Sequence, residues 1–152
     1  MKHLGDAAVC QRILQRIAVL KPEAPPRWGR MTANQMLCHL TDSFRVSMGE
    51  KQASPATGIL QRSLIKWIAL YVPVPWPKGV PTRPEVEQGV GGTQPSGFAR
   101  DRAGLISVIE RFSDPNRQFQ GNQHPIFGKM REKEWLRWGY LHADHHLRQF
   151  GV

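Results

Sequence analysis

Apolar residues recur at helical spacing in the first segment, Asp6 to Leu20. Val9, Ile13, Leu14, Ile17 and Leu20 share one face there, and Arg12 and Arg16 lie opposite. Asp6 stands before the run as an N-cap, since its carboxylate can accept from the free N–H groups of the first turn. The run KPEAPPRWGR then breaks the pattern with prolines and a glycine. A second helix starts at Thr32, which forms a T-x-x-Q capping box with Gln35. It continues through Met36, Leu37, Leu40, Phe44 and Met48 and stops at Gly49. A shorter helical stretch, Ile59 to Val72, ends at PVPWPKGVPTRP. Residues 73–97 are rich in proline and glycine and carry no periodicity. Ser96 is placed to cap the next helix, Gly97 to Phe112, whose apolar positions are Phe98, Leu105, Ile106, Ile109 and Phe112. A loop through Asn122, His124-Pro125 and Gly128 leads to the last helix, about Arg131 to Gln149, with Gly151 just beyond it.

No segment alternates strongly enough to predict a strand. The expected fold class is therefore all-α, a four-helix bundle making one domain over residues 1–152. An antiparallel neighbour needs only about 2–8 residues of loop, whereas a parallel one needs a crossover as long as a helix. The long Pro/Gly-rich connection between the second and third main helices thus predicts an up-down-down-up arrangement.

Composition narrows the picture. Hydrophobic residues at 40% and charged residues at 22% exclude wholesale disorder. Cys10 and Cys38 lie far apart with no C-x-x-C pair, which argues against a disulfide scaffold or zinc ribbon and fits a reducing cytoplasm. The N-terminus has no signal-peptide core. The most apolar stretch, Leu64 to Trp76, is broken by Lys66, Pro73 and Pro75, so no membrane span is expected. The formal charge of +9 is spread from Lys2 to Arg148 without a nucleic-acid motif, so no specific nucleic-acid partner is expected. A homodimer stays open.

Histidine carries the candidate chemistry. Each helical residue turns about 100°, so His142 and His146 in Y140-L-H-A-D-H-H146 lie only about 40° apart around the axis and one turn apart along it. They can bind one ion together. Trp135, Trp138, His142, His146 and Gln149 form one stripe beside an apolar one of Leu136, Tyr140, Ala143, Leu147 and Phe150. His145 points to one side of the pair and Asp144 to the far side. His39, in the middle of the second helix, is available as a third ligand. Its stripe of Gln35, His39, Asp42 and Val46 is equally compatible with a solvent face. Cys38 lies about 100° away from His39 and reads as a small core residue.

The segments M31-T-A-N-Q-M-L-C-H39-L-T-D-S, H124-P-I-F-G and W135…Y140-L-H-A-D-H-H-L-R-Q-F-G151 together resemble the DinB/YfiT-like superfamily, and within it a branch described as a domain of unknown function. The likeness covers nearly the whole chain. That family's helix-two histidine, H-x-x-x-H and following glutamine fall on His39, His142, His146 and Gln149. The resemblance implies a bundle holding one divalent metal (Zn, Ni, Fe or Mn) on His39, His142 and His146, with open positions for water or substrate. Better understood relatives are thiol-dependent, among them bacillithiol transferases and mycothiol-dependent isomerases. The resemblance therefore implies a small-molecule substrate such as a low-molecular-weight thiol, and an S-transferase or small-molecule hydrolase activity. The chain departs from relatives at Met130, where a threonine or serine often caps the last helix, and in residues 73–97, so substrate contacts do not carry over.

Three neutral imidazoles leave a dication its charge and an open position, the pattern of catalytic rather than closed structural sites. Such an ion lowers the pKa of bound water, binds a thiol as thiolate or polarises a carbonyl. His145 and His124 are candidate proton acceptors, and Asp42 a candidate to orient His39 or a bound water. Against this enzyme stand two alternatives, a non-catalytic metal or small-ligand binding protein of the same fold and a basic interaction module.

Overall fold

The structure is a computed structural model that describes residues 1–56, 62–117 and 123–152. It is mostly helical: α1 is Ala7–Val19, α2 Ala33–Ser47, α3 Arg62–Tyr71, α4 Phe98–Ser113 and α5 Glu132–Gln149, with a 3-10 turn at Pro84–Val86. Asp6 caps α1, accepting from the backbone N–H of Ala8 and Val9. Thr32 and Gln35 close both halves of the box at α2, and Gly49 follows that helix at φ +75°, where the backbone N–H of Glu50 reaches back to Arg45 O. Ser96 does not cap α4. Gly97 holds the cap position, and Asp101 reaches back to accept from Ser96 N, Ser96 Oγ and Gly97 N. Asp101, one turn into the helix, thus ties down the N–H groups that lead into α4 rather than those of its first turn, a back-reaching contact that the spacing of Ser96 does not reveal. At α5 the backbone N–H of Arg131 is taken by Glu134, in place of any hydroxyl cap.

The expectation of no strand is corrected by a small antiparallel hairpin, β1 Gln123–His124 with β2 Gly128–Lys129. Two residues per strand are too few to alternate visibly in sequence. Ile59 of the expected third helix and Asn122 of the expected loop lie outside the described residues.

α2 is the central element. Met36 through Phe44 are all buried, because α4 packs on one side, α5 on another and the Pro/Gly segment on a third. Phe44 meets Phe112 of α4 at 4.8 Å and Trp138 of α5 at 5.8 Å between ring centroids. Gly139 allows this approach: a Cβ there would lie 2.7 Å from Phe112 and 3.0 Å from Phe44. Both cysteines are free and buried. Burial, with the Asp101 carboxylate beside it, pushes the Cys38 thiol up to about 12, so it is an inert core group. Among the described residues no helix is long and apolar enough to cross a membrane.

Candidate metal centre

The polar stripe of α2 faces inward rather than toward solvent. His39 is 5% exposed and its Nδ1 lies 2.9 Å from the carbonyl oxygen of Val86, in the 3-10 turn of the Pro/Gly segment. A carbonyl only accepts, so Nδ1 carries the proton and the Nε2 lone pair is left free. On α5, His146 Nδ1 lies 2.8 Å from Gln149 Oε1, while Gln149 Nε2 donates to Trp28 O at 2.6 Å. The Trp28 carbonyl thereby fixes which end of the amide is oxygen, and His146 also presents a bare Nε2. His142, one turn earlier, brings its Nε2 to 3.3 Å from that of His39.

One nitrogen from each of His39, His142 and His146 lies within 4.8 Å of the others. Ligand nitrogens about 2.0–2.1 Å from a tetrahedral ion sit roughly 3.3–3.4 Å apart, which is the His39–His142 spacing. Two imidazoles with Nδ1 protons already committed have lone pairs to give, so the donor set fits a divalent cation. All three rings resist protonation. Burial lowers the pKa of His39, against smaller opposing pulls from the Val86 carbonyl and Asp42. Burial and then the neighbouring histidines hold His142 and His146 well below the usual range. Neutral rings are the form that ligates metal.

The cluster forms part of the lining of a cleft of about 530 Å³. Trp138 lies inside and Trp28 and Trp76 stand against His145, at 5.5 and 6.2 Å between centroids. Residues 74–77 and 79–83 and Val86 line it as well, so the aperiodic Pro/Gly segment is a wall of the site. Lys78 lies over the Trp28 ring at 4.7 Å. Sequence reasoning missed Trp28 and Trp76. Their signal was available: a large apolar ring inside PPRWGR and PVPWPKG has no helix to pack into, so it must cover something else. The Val86 carbonyl had no signal, being backbone.

The other three candidates are placed differently. Asp42 is fully buried, but it accepts from Thr93 N, Thr93 Oγ1 and Lys51 Nζ, each at 2.7 Å. It anchors the Pro/Gly segment to α2, and Val86 orients His39 in its stead. His124 is 7% exposed and lines the cleft, yet its Nδ1 accepts from Ile126 N and Phe127 N, both at 3.1 Å. Burial pushes its pKa down to about 3. It is therefore not a proton acceptor. His145 is half-buried at the cleft, its pKa lowered by burial and then by Arg148, and its Nδ1 has no hydrogen-bond partner among the described residues.

A family model described as a protein of unknown function (DUF1569) matches residues 6–151. No curated protein and no solved structure matches the chain.

Proposed function

Since the chain belongs to the DUF1569 family, whose description assigns no activity, we propose its function from the site. We infer a divalent-metal-dependent enzyme acting on a small molecule, with the ion on His39, His142 and His146. The observation that carries this reading is the convergence of three imidazoles, His39 and His146 buried and His142 partly buried, two of them with Nδ1 protons tied to Val86 O and Gln149 Oε1. A bound dication would supply Lewis acidity, polarising a carbonyl or lowering the pKa of water or a thiol. The chain's own groups do the rest. Val86 and Gln149 hold two ligands in one tautomer and orientation. Trp28, Trp76 and Trp138 give the cleft apolar walls, which strengthen charge interactions wherever a bound substrate displaces water. His145, neutral near pH 7, is the side chain left to accept a proton there.

The fold reading of a DinB/YfiT-like four-helix bundle is supported by pairings along α2. Cys38 sits beside Asp101 near the start of α4, and Phe44 beside Phe112 near its end, as two parallel helices would place them. Arg102 bonds to Ala18 O and Cys10 meets Ser113, as α1 antiparallel to α4 would. These pairings favour the up-down-down-up order. A second reading, a non-catalytic metal or small-ligand binding protein, draws on the loss of His124 and Asp42 as proton-handling groups.

Elemental analysis of untagged protein tests the site. About one divalent ion per chain is expected, lost when His39, His142 and His146 are all changed to alanine and kept in His3→Ala. Full occupancy in the triple variant overturns the assignment. Turnover assays with thiol and ester panels then separate the enzyme from the binding protein.

A further inference from the structure

Several polar groups on the cleft wall are committed, while Arg83 Nε, His142 Nδ1 and His145 Nδ1 have no partner among the described residues. Ser43 Oγ donates to His39 O at 2.8 Å, Ser47 Oγ to Phe44 O at 2.6 Å, and both ends of the Gln149 amide are used. Arg83 donates to Ser54 Oγ at 2.7 Å. His124 is different. Two backbone N–H groups point at its Nδ1, so that nitrogen must be the unprotonated one and Nε2 must carry hydrogen. Pro125 lacks an N–H, so the turn closes on the ring through residues 126 and 127, and the hairpin serves as a clamp on the tautomer. Nε2–H makes no hydrogen bond to a described residue, and the ring lines the cleft. Its ring stacks on Phe127 at 4.4 Å. The Trp138 ring lies 5.1 Å from His124 and 5.1 Å from His142, so the donor sits one aromatic ring away from the histidine cluster.

Around these groups the wall is apolar: Trp28, Ile65, Ile68, Trp76, Val80 and Phe127 among others. No Asp or Glu of the described residues lines it, whereas Arg30 and Arg83 do. An organic cation, away from the histidine cluster, would be desolvated there without a carboxylate counter-charge.

We propose, resting on the reading of this cleft as a substrate site, that it takes an apolar, ring-bearing small molecule presenting a carbonyl-type acceptor to His124 Nε2–H. The hairpin's clamp makes His124 a fixed donor at the position of an electron-rich oxygen. The apolar wall and the absence of acidic groups among its described residues select against organic cations.

Binding is measured by calorimetry on chelator-treated protein, so that affinity does not depend on an ion. The probes are 2-acetonaphthone, the hydrocarbon 2-ethylnaphthalene, and 1-(2-naphthyl)ethylammonium. The ketone should bind at least tenfold more tightly than the ammonium ion. His124→Phe should weaken the ketone about three- to tenfold, the worth of one hydrogen bond, and leave the hydrocarbon unchanged. Should the variant fail to fold, ¹⁵N-resolved NMR of the wild-type ring takes its place: an Nε2–H tautomer whose proton resonance moves on adding ketone but not hydrocarbon. Equal binding of ketone and ammonium, equal losses for ketone and hydrocarbon, or an Nδ1–H tautomer overturns the proposal. Metal binding without ketone affinity sinks this inference alone, and ketone affinity without metal sinks only the metal reading.

Discussion

His39 and His124 are nearly equally buried, at 5% and 7% exposure, line the same cleft and are both held neutral by burial. Their chemistry is nevertheless opposite. His39 Nδ1 meets a carbonyl, so its other nitrogen offers a lone pair. His124 Nδ1 meets two N–H groups, so its other nitrogen offers a proton. The difference lies in the backbone around Nδ1, one carbonyl of a 3-10 turn in one case and two N–H groups of a hairpin turn in the other. An imidazole's role in a buried site is set by whichever backbone group reaches its far side first. One ring is thereby made a ligand and the other a donor, without any change of residue type.

Acid should produce the largest effect, and it acts on both kinds of histidine alike. Unfolded histidine protonates near pH 6.5, whereas these rings stay neutral to much lower pH when folded. The unfolded chain therefore binds more protons below pH 6.5, so stability is full above that pH and falls as pH drops. His124, with its folded value near 3, contributes a loss of about 2 kcal/mol at pH 5. His39, His142 and His146 add to it in the same direction. Urea unfolding of metal-free protein at pH 7.5 and pH 5 measures the sum. A loss smaller than the His124 share would show that the rings are not buried neutral.

Metal should then split the pair. An ion joining α2 to α5 binds only the folded chain, so at hundredfold excess over Kd it stabilises by about 2.7 kcal/mol. The rise in melting temperature with Zn²⁺ or Ni²⁺ at pH 7.5 should survive His124→Phe, vanish in His39→Ala, and persist below pH 6.5, because the folded rings stay neutral there and protons compete only at lower pH. A rise that depends on His124 would erase the distinction between the two rings.

The smallest effect tests the wiring itself. Gln149 touches no ion but aims His146, so Gln149→Ala should weaken metal about 10–100-fold in competition with a chromophoric chelator. Gln149→Glu, which keeps the acceptor for His146 but loses the donor to Trp28 O, should recover only part of it. Unchanged affinity in the alanine variant would mean the His146 tautomer needs no partner.

The helices and their caps at Asp6 and Thr32 were legible in sequence, because periodicity and capping are local properties of a few neighbouring residues. So was the pairing of His142 with His146, which one helical turn guarantees. The contribution of His39 was legible only as availability. Whether its stripe faced solvent or the interior depended on elements far away in sequence, and the Pro/Gly segment decided it by closing over α2 through Asp42 and Val86.

The sequence by itself therefore determined which residues could ligate and on which helices they stand. Tertiary structure alone decided what His39 and His124 do. The deciding partners are backbone carbonyl and N–H groups, which every residue carries and which leave no trace in residue identity until the fold brings them within 3 Å or so of a ring.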